Sequence, residues 1–241
     1  MIKRGITLYL HVHQPLRIRQ YSIFDTAVNH DYFDEPSLDT DRNNERVLRK
    51  VADKSYRPMN ALLERLLAMY PDFKVSLSIT GTFIEQAEKW APDVLDSFKR
   101  LVATGQVEII AETYYHSLAF FYSRDEFERQ VEAHKAKIRE LFGVETKVFR
   151  NTELAYNDEL AQWADQYGFK GILAEGWDPV LEWRSPNHVY RPTGTKNIAL
   201  LLKNYHLSDD LAFRFGNRAW TEWPLTADTY RDGANASIEG E

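Results

Sequence analysis

The chain of 241 residues contains no cysteine. This absence excludes disulfide bonds, thiolate nucleophiles and cysteine-ligated zinc, and it favours a reducing, cytoplasmic location. Long apolar runs are also missing, because even the longest, such as residues 198–202, have only strand length. No segment is therefore expected to cross a membrane. The apolar run after the basic N-terminus ends at Leu10, which is too short for a signal peptide and predicts a first strand instead.

The chain has no excess of basic residues either, because its 30 Lys and Arg are outnumbered by 36 Asp and Glu, which gives a net charge of −6. Nucleic acids and anionic membranes both favour clustered basic residues, so neither is predicted as a partner. A hydrophobic fraction of 44% with 27% charged residues is typical of a globular protein. The 13 Tyr, 13 Phe and 6 Trp could stack on sugar rings or fill a core, and alone they favour neither.

Short apolar segments alternate with helical patterns along the chain. Seven segments are near-continuous apolar runs, as expected of parallel strands that are buried on both faces. They are residues 6–12, 73–79, 106–112, 146–150, 170–175, 188–191 and 198–204. Alternating strands and helices predict an α/β fold, and seven strands with no clear edge favour a barrel over an open sheet. No linker or repeat is evident, so residues 1–241 are predicted to form one domain.

Apolar periodicity and capping residues predict the helices between these strands. The first helix is expected from about Asn43 to Tyr70, with an interruption near Pro58, and the second covers residues 83–104 and ends before Gly105. The third begins at the Ser123–Glu126 capping box and reaches about Phe142. The fourth begins at the Asn157 cap and ends at Gly168. The polar tail, residues 226–241, is expected to stop without completing an element, as a cut chain would.

Polar and aromatic residues follow five successive predicted strands, where α/β barrels carry their catalytic groups. The strand ends offer His11 and His13, then Glu85, then Glu112 and His116, then Glu153, and finally Glu175, Trp177 and Asp178. The period of two along a strand places His11 and His13 on the same side. We expect these side chains to converge on one rim.

Each candidate also has a purely structural interpretation. A histidine at a strand end is commonly a hydrogen-bonded structural residue, and Glu85 could balance the dipole of its helix from the first turn. Glu153 could form an ion pair with Arg150. Comparable structural roles are ion pairs of Glu112 and Glu175 with Arg150 or Arg184, a core position for Trp177, and capping of a short helix by Ser208, Asp209 and Asp210.

Six motifs follow the predicted strands in order: LHVHQP, GTFIEQ, ETYYHSL, FRNTELAY, EGWDPVLEWRSPNHVYRP and HLSDDLAFRF. From about Gly5 to Trp223, the chain resembles glycoside hydrolase family 57, in particular its α-amylase-like branch. The resemblance implies an incomplete seven-stranded (β/α) barrel, truncated here on its C-terminal side. It also implies action on α-1,4-glucans or maltooligosaccharides with retention of configuration, and no cofactor or metal. A 4-α-glucanotransferase or a branching enzyme of the same family is the alternative.

The resemblance implies a nucleophile at Glu153, which would form a covalent glycosyl intermediate, and a sugar subsite lined by His11 and His13. Further sugar contacts are implied at Glu85, His116, Arg150, Trp177, residues 183–187 and Asp210. The family's acid/base is an Asp in a segment resembling DYETFGE, which residues 1–241 do not contain. Asp209 and Asp210 are only a fallback. The chain is therefore expected to be an N-terminal piece of a longer amylase, inactive alone and without the family's helical C-terminal region.

Two functions of different classes are also compatible with the sequence. A metal-dependent barrel of the deacetylase or mannosidase type could hold Zn²⁺ through His11, His13, His116 and a carboxylate. The first motif has Pro15 nearby and lacks the Asp that such enzymes place beside their histidines. A non-catalytic glucan-binding domain is the second of these functions. The sequence does not predict an oligomeric state.

Overall fold

All seven predicted strands are present in the computed structural model, which describes residues 5–37 and 40–239 of the chain. Within these residues the strands are β1 (Tyr9–Val12), β2 (Val75–Ile79), β3 (Val107–Ile109), β4 (Val148–Arg150), β5 (Gly171–Glu175), β6 (Val189–Tyr190) and β7 (Ala199–Lys203). Each strand lies inside its apolar run, so the apolar pattern predicted the strands and overestimated only their lengths.

The α-helices alternate with these strands, which confirms the α/β class. In the described part of the chain they are α1 (Asn44–Val51), α2 (Arg57–Met69), α3 (Gly81–Trp90), α4 (Pro92–Ala103), α5 (Arg124–Phe142), α6 (Asp158–Gln166), α7 (Asp178–Leu181), α8 (Tyr205–Asp209) and α9 (Ala227–Glu239). None of these described helices is both long and apolar enough to span a membrane.

Residues 7–146 form one of two compact units and contain a three-stranded parallel sheet in the order β1-β2-β3. The central strand β2 is almost entirely buried, as expected of a parallel strand with a neighbour on each side and both faces covered. The register places His11 opposite Ser78 and Leu77 opposite Ile109, so the carboxyl ends of all three strands lie at one edge. A single buried cluster centred on Leu77, Ile79 and Phe83 fills this unit.

The rest of the described chain forms the second unit, whose four-stranded sheet has the order β4-β5-β7-β6. Strands β4, β5 and β7 are parallel, but β6 pairs antiparallel with β7. The expectation of parallel strands without a clear edge was therefore wrong for residues 188–191. Only residues 191–198 connect β6 to β7, and a parallel crossover needs a dozen residues or more, so the two strands form a hairpin.

The helix predicted over residues 83–104 is two helices, α3 and α4, which meet at Ala91 and Pro92. Proline has no N–H to donate and disfavours helical geometry in the residue before it, and Ala91 accordingly adopts φ −150° and ψ 58°. The predicted termination at Gly105 is confirmed, because this residue has φ +73° just after α4. The interruption expected near Pro58 is a π-helical turn, residues 52–56, that directly precedes α2.

The N-cap predictions for α5 and α6 are confirmed, but the return bond of the capping box predicted at Ser123 is not formed, because the Ser123 N–H donates to the carbonyl of Ala119 and the Glu126 carboxylate accepts from Arg129 and Gln130. The Ser123 side chain accepts a hydrogen bond from the backbone N–H of Glu126, and α5 ends at Gly143 with φ +67°. The Asn157 side chain accepts a hydrogen bond of 2.8 Å from the N–H of Leu160. Both helices therefore begin where the sequence provides an acceptor for their first free N–H groups.

Two expectations for the C-terminal part were wrong. Asn204, rather than Ser208, caps the short helix α8, and Ser208 lies in its last turn. Residues 227–239 of the tail complete an element, the helix α9, although they are polar. That helix packs through the buried Ala234, and its Ser237 accepts hydrogen bonds from the side chains of Asn187 and Asn204. The last two residues of the tail, 240–241, lie outside the described residues.

Candidate active site

Three histidines lie together at the carboxyl edge of the first sheet. The rings of His11 and His13 lie on the same side of β1, nearly parallel at 8°, with centroids 5.8 Å apart. The ring of His116, from the loop after β3, is 4.9 Å from His11 and 4.2 Å from His13. The structure therefore brings together three predicted site residues from two strand ends, namely His11 and His13 at the end of β1 and His116 after β3.

Glu112 lies beneath these rings, and its side chain is 0% exposed. The carboxylate Oε2 is 3.1 Å from Nε2 of His11 and 3.7 Å from Nδ1 of His116. Burial alone would raise the pKa of Glu112, but the hydrogen bond from His11 and the nearby His116 outweigh it and hold the pKa well below its usual value. Glu112 is thus a buried anion among imidazoles, where it can orient them, stabilise a proton on them or help bind a cation.

His134 on α5 supports the site from within the core. Its Nδ1 accepts a hydrogen bond of 3.4 Å from the backbone N–H of Glu112, and its Nε2 donates one of 2.9 Å to the carbonyl of Ile79. These two bonds assign the neutral tautomer with the proton on Nε2. Burial lowers the pKa of His134 and favours the same neutral form. His134 therefore fixes the end of β3 against the end of β2.

Thr80 sets the orientation of His13. Its Oγ1 accepts the N–H of Phe83 at 3.2 Å as the N-cap of α3 and lies 2.9 Å from Nδ1 of His13. The hydroxyl can donate to Nδ1 or accept from it, so this hydrogen bond fixes the orientation of the His13 ring and leaves both neutral tautomers open.

Glu85 is exposed and lies in the second turn of α3, because that helix begins at Gly81. The suggestion that Glu85 balances the helix dipole from the first turn was therefore wrong. Its Oε1 accepts a hydrogen bond of 2.9 Å from the hydroxyl of Tyr114. Burial and then the bond to Glu85 raise the pKa of Tyr114. A Cβ atom on Gly81 would overlap the Tyr114 ring, so this glycine is what admits the tyrosine.

The His116 backbone has φ +55°, a left-handed conformation that is uncommon outside glycine. The turn around it is tied by Thr113, whose hydroxyl accepts the N–H of Ser117 at 2.8 Å, and whose carbonyl accepts the N–H of His116 at 3.2 Å. Strained residues persist where the surroundings hold them, and they occur disproportionately at functional sites. This backbone strain supports a functional role for His116 independently of its place in the sequence motif.

Glu153 occupies a similar strained turn in the second unit, directly after β4. Its φ is +55° and that of Leu154 is also +55°, and the Glu153 side chain is exposed. The N–H groups of Leu154 and Ala155 donate to the carbonyls of Asn151 and Thr152, each at 3.1 Å. The Asn151 side chain closes the turn by donating to the carbonyl of Ala155 at 3.1 Å. The turn therefore presents one exposed carboxylate from a fixed backbone.

Arg150 and Trp177 also lie at strand ends of the second unit. Arg150 ends β4 and is buried at 6% exposure, whereas Trp177 follows β5 and is 59% exposed, which excludes the suggested core position. Gly176 between β5 and Trp177 donates its N–H to the carbonyl of Lys203 at 3.1 Å. A Cβ atom on Gly176 would overlap that carbonyl, so the close approach of β5 and β7 requires glycine at this position.

The carboxylates near the ends of β5 and β7 are each paired with a basic side chain. Lys203 Nζ lies 3.7 Å from Asp209 and 3.3 Å from Glu175, so Glu175 pairs with this lysine rather than with Arg150 or Arg184. Arg214 Nη1 lies 2.7 Å from Asp210, whose side chain is 17% exposed. Asp209 and Asp210 are therefore each engaged by a basic side chain of this unit, whereas a general acid must have its carboxyl available to the leaving oxygen.

The sequence placed Glu112 among the strand-end candidates but predicted neither its burial nor its histidine partners, and it gave no specific role to Tyr114 of the same motif, ETYYHSL. The available signal was a carboxylate at the end of a buried apolar run, where an uncompensated charge is costly. Such a residue must find partners, and Glu112 finds the two histidines.

The family of sequences described as "Glycosyl hydrolase family 57" matches this chain over residues 7–239. A Methanocaldococcus jannaschii protein named "Putative alpha-amylase" is 49% identical over 227 residues, which are 93% of this chain and 47% of that protein. An alpha-amylase of Pyrococcus horikoshii is 25% identical over 64% of this chain and 24% of its own length. The chain thus spans less than half of the length of these relatives.

Solved structures agree on the fold. The crystal structure of a 4-alpha-glucanotransferase from Thermococcus litoralis matches with a TM-score of 0.64 and 23% identity, over 86% of this chain and 29% of that one. The alpha-amylase AmyC from Thermotoga maritima matches with a TM-score of 0.63 and 15% identity, over 87% of this chain and 47% of that one.

Proposed function

Because the chain belongs to glycosyl hydrolase family 57, we propose that it is the N-terminal part of a retaining glycoside hydrolase that cleaves α-1,4-glucans. Relatives named alpha-amylase support the substrate class. In this proposal the two sheets belong to one incomplete seven-stranded (β/α) barrel in residues 1–241, and the protein acts on its glucan in the cytoplasm, with neither a nucleic acid nor a membrane as a partner. Glu153 is the catalytic nucleophile.

The observation that carries this proposal is the strained turn that presents Glu153. A nucleophile must be open to its substrate and held in one position, since small displacements of a reacting group cost large factors in rate. Glu153 is exposed at a strand end, and three hydrogen bonds within residues 151–155 fix its left-handed backbone. A carboxylate serving only as a surface charge has no need of such a backbone.

The proposed chemistry has two steps. A Glu153 carboxylate oxygen attacks the anomeric carbon, the glycosidic C–O bond breaks, and a general acid protonates the leaving oxygen. Water deprotonated by the same residue then attacks the anomeric carbon and releases Glu153. Retention requires the two carboxyl groups about 5–5.5 Å apart. Since Asp209 and Asp210 are paired with Lys203 and Arg214, we assign the acid to a residue outside 1–241 and expect the isolated chain to be inactive.

In this proposal, polar and aromatic side chains at or near the strand ends bind the sugar. The imidazole of His13 can exchange hydrogen bonds with sugar hydroxyls, Glu85 can accept from them, and the exposed Trp177 offers an aromatic face for stacking. His11, His116, Arg150 and Asp210 complete the proposed set. Bonds to the sugar that strengthen at the oxocarbenium-like transition state would raise the rate.

The test is Glu153→Gln in the complete gene product, with Glu222→Gln, an exposed carboxylate of the same unit, as the matched control. Glu153→Gln should abolish hydrolysis of soluble starch while maltooligosaccharide binding by calorimetry persists, and Glu222→Gln should hydrolyse normally. A 2-deoxy-2-fluoro glucosyl donor should leave a covalent adduct on the Glu153 peptide in mass spectrometry. Undiminished turnover by Glu153→Gln, or an adduct elsewhere, would remove Glu153 from this role.

A 4-α-glucanotransferase is the second candidate, because a structure of that name shares the fold and a sugar acceptor can replace water in the second step. Incubation of the complete gene product with maltotriose separates the two. A hydrolase yields reducing ends in proportion to bonds cleaved, whereas a transferase yields longer oligosaccharides with no net gain of reducing ends.

A further inference from the structure

Three potential metal ligands converge at the histidine cluster of the first unit. One nitrogen each of His11 and His116 and one carboxylate oxygen of Glu112 all lie within 4.8 Å of one another. Two imidazoles and a carboxylate form a donor set that suits zinc and related transition-metal ions rather than Mg²⁺ or Ca²⁺, which prefer oxygen ligands.

The separations between these atoms are close to those that a bound ion needs. A tetrahedral ion with ligands about 2.0–2.2 Å away places neighbouring ligand atoms about 3.3–3.6 Å apart. The observed distances are 3.1 Å from Nε2 of His11 to Oε2 of Glu112 and 3.7 Å from Nδ1 of His116 to the same oxygen. The nitrogens of His11 and His116 lie within 4.8 Å of each other, so the rings would have to rotate to bring all three ligand atoms to the required spacing.

The charge at this place also favours a cation. Glu112 is fully buried, and an ionised carboxylate removed from water needs a positive charge or several donors close by. A divalent ion bound between His11, His116 and this carboxylate would supply such a positive charge directly beside it.

The ligands are held in advance and can be reached from solvent. His134 fixes the backbone of Glu112, and the Thr113–Ser117 turn fixes that of His116. Outer interactions of this kind orient metal ligands and raise their affinity. The side chains of His11 and His116 are 22% and 14% exposed, so an ion can enter from the side of the rings.

We propose that His11, Glu112 and His116 bind one divalent transition-metal ion of the zinc type. Three protein ligands leave at least one coordination position for water or a hydroxyl group, and His13 lies beside it as a neighbouring donor. The hydrolysis proposed for Glu153 does not require this ion. The test therefore measures binding and not turnover.

The protein should be stripped with EDTA and titrated with Zn²⁺ by calorimetry and with Co²⁺ by visible absorption, with Mg²⁺ as the comparison ion. One Zn²⁺ per chain is expected, together with the absorption of Co²⁺ in a low-coordinate site. His116→Ala and Glu112→Gln should each weaken binding at least about tenfold. His206→Ala, which alters an exposed histidine of the other unit, should bind as the wild type does.

Circular dichroism will show whether Glu112→Gln folds. If it does not, His11→Ala replaces it in the titrations, because the His11 ring is partly exposed and its loss should disturb the fold less. The wild-type titration is decisive without any variant, because failure to take up Zn²⁺ or Co²⁺ overturns the proposal. Uptake that is equally strong in His11→Ala and His116→Ala overturns it too, since the ion would then be bound elsewhere.

Discussion

The Tyr114 ring occupies the space beside Gly81 where the Cβ atom of a larger residue would lie. We predict that Gly81→Ala lowers the free energy of unfolding by about 1–3 kcal/mol, because the added Cβ would displace the Tyr114 ring from its place against α3. Urea denaturation followed by circular dichroism measures this loss. Gly216→Ala is the control, since no atom lies within 4 Å of its added Cβ, and it should change the free energy by less than about 0.5 kcal/mol. Equal effects of the two substitutions would contradict the overlap.

Glu126 provides a residue-scale test of electrostatics at the start of α5. Hydrogen bonds from Arg129, at 2.7 and 2.8 Å, and from Gln130 lower the pKa of Glu126 to about 2. A carboxyl whose pKa is lowered by folding adds stability that is present above the unfolded pKa of about 4.3 and is lost as pH falls towards 2. Arg129→Gln should raise the pKa of Glu126 in an NMR titration of its carboxyl carbon. An unchanged titration would show that the pair is open in solution.

At the site, the residue types and their order along the chain were predictable, but their contacts were not. The period of two placed His11 and His13 on one side, as observed. Glu112 could be recognised as a strand-end carboxylate, yet its partners depend on which strand follows which in the sheet. The pairing of β1 and β3 with the same central strand, from distant parts of the sequence, brings these side chains together.

At the scale of elements, apolar runs predicted every strand because burial on both faces leaves a strong pattern. The direction of β6 left no such pattern and is set by the short connection to β7. The break between α3 and α4 was predictable from Pro92, since proline in a helical pattern is itself a stop signal. The helix α9 depends on tertiary bonds from Asn187 and Asn204 to Ser237, which the local sequence of a polar tail does not reveal.

The turn of residues 151–155 is the element on which the proposed catalysis depends. We predict that Asn151→Ala lowers kcat of the complete gene product by about tenfold or more with little change in KM, because the turn that orients Glu153 loses its closing hydrogen bond. Steady-state kinetics on maltooligosaccharides separates the two constants. Asn217→Ala, which removes the acceptor of an exposed turn in the same unit, should leave both unchanged. A change in KM alone would assign Asn151 to binding.

At the scale of the whole molecule, the described chain divides into residues 7–146 and the remainder, and a hydrophobic core cluster lies entirely in the former. The buried Leu48, Leu77, Phe83, Phe98, Leu101 and Ile138 come from helices and strands spread over all of that segment. A segment of 140 residues with its own core has the size and burial of an independent domain.

We therefore predict that a fragment of residues 7–146 folds by itself. Its urea denaturation should be one cooperative transition with the same midpoint by circular dichroism and by tryptophan fluorescence from Trp90, as two-state folding requires. The companion fragment 147–241, with fewer large buried side chains, should unfold at a lower urea concentration. Non-coincident transitions in the first fragment would show that its core depends on the rest of the chain. The three histidines and Glu112 would then need residues beyond 146 to hold them together.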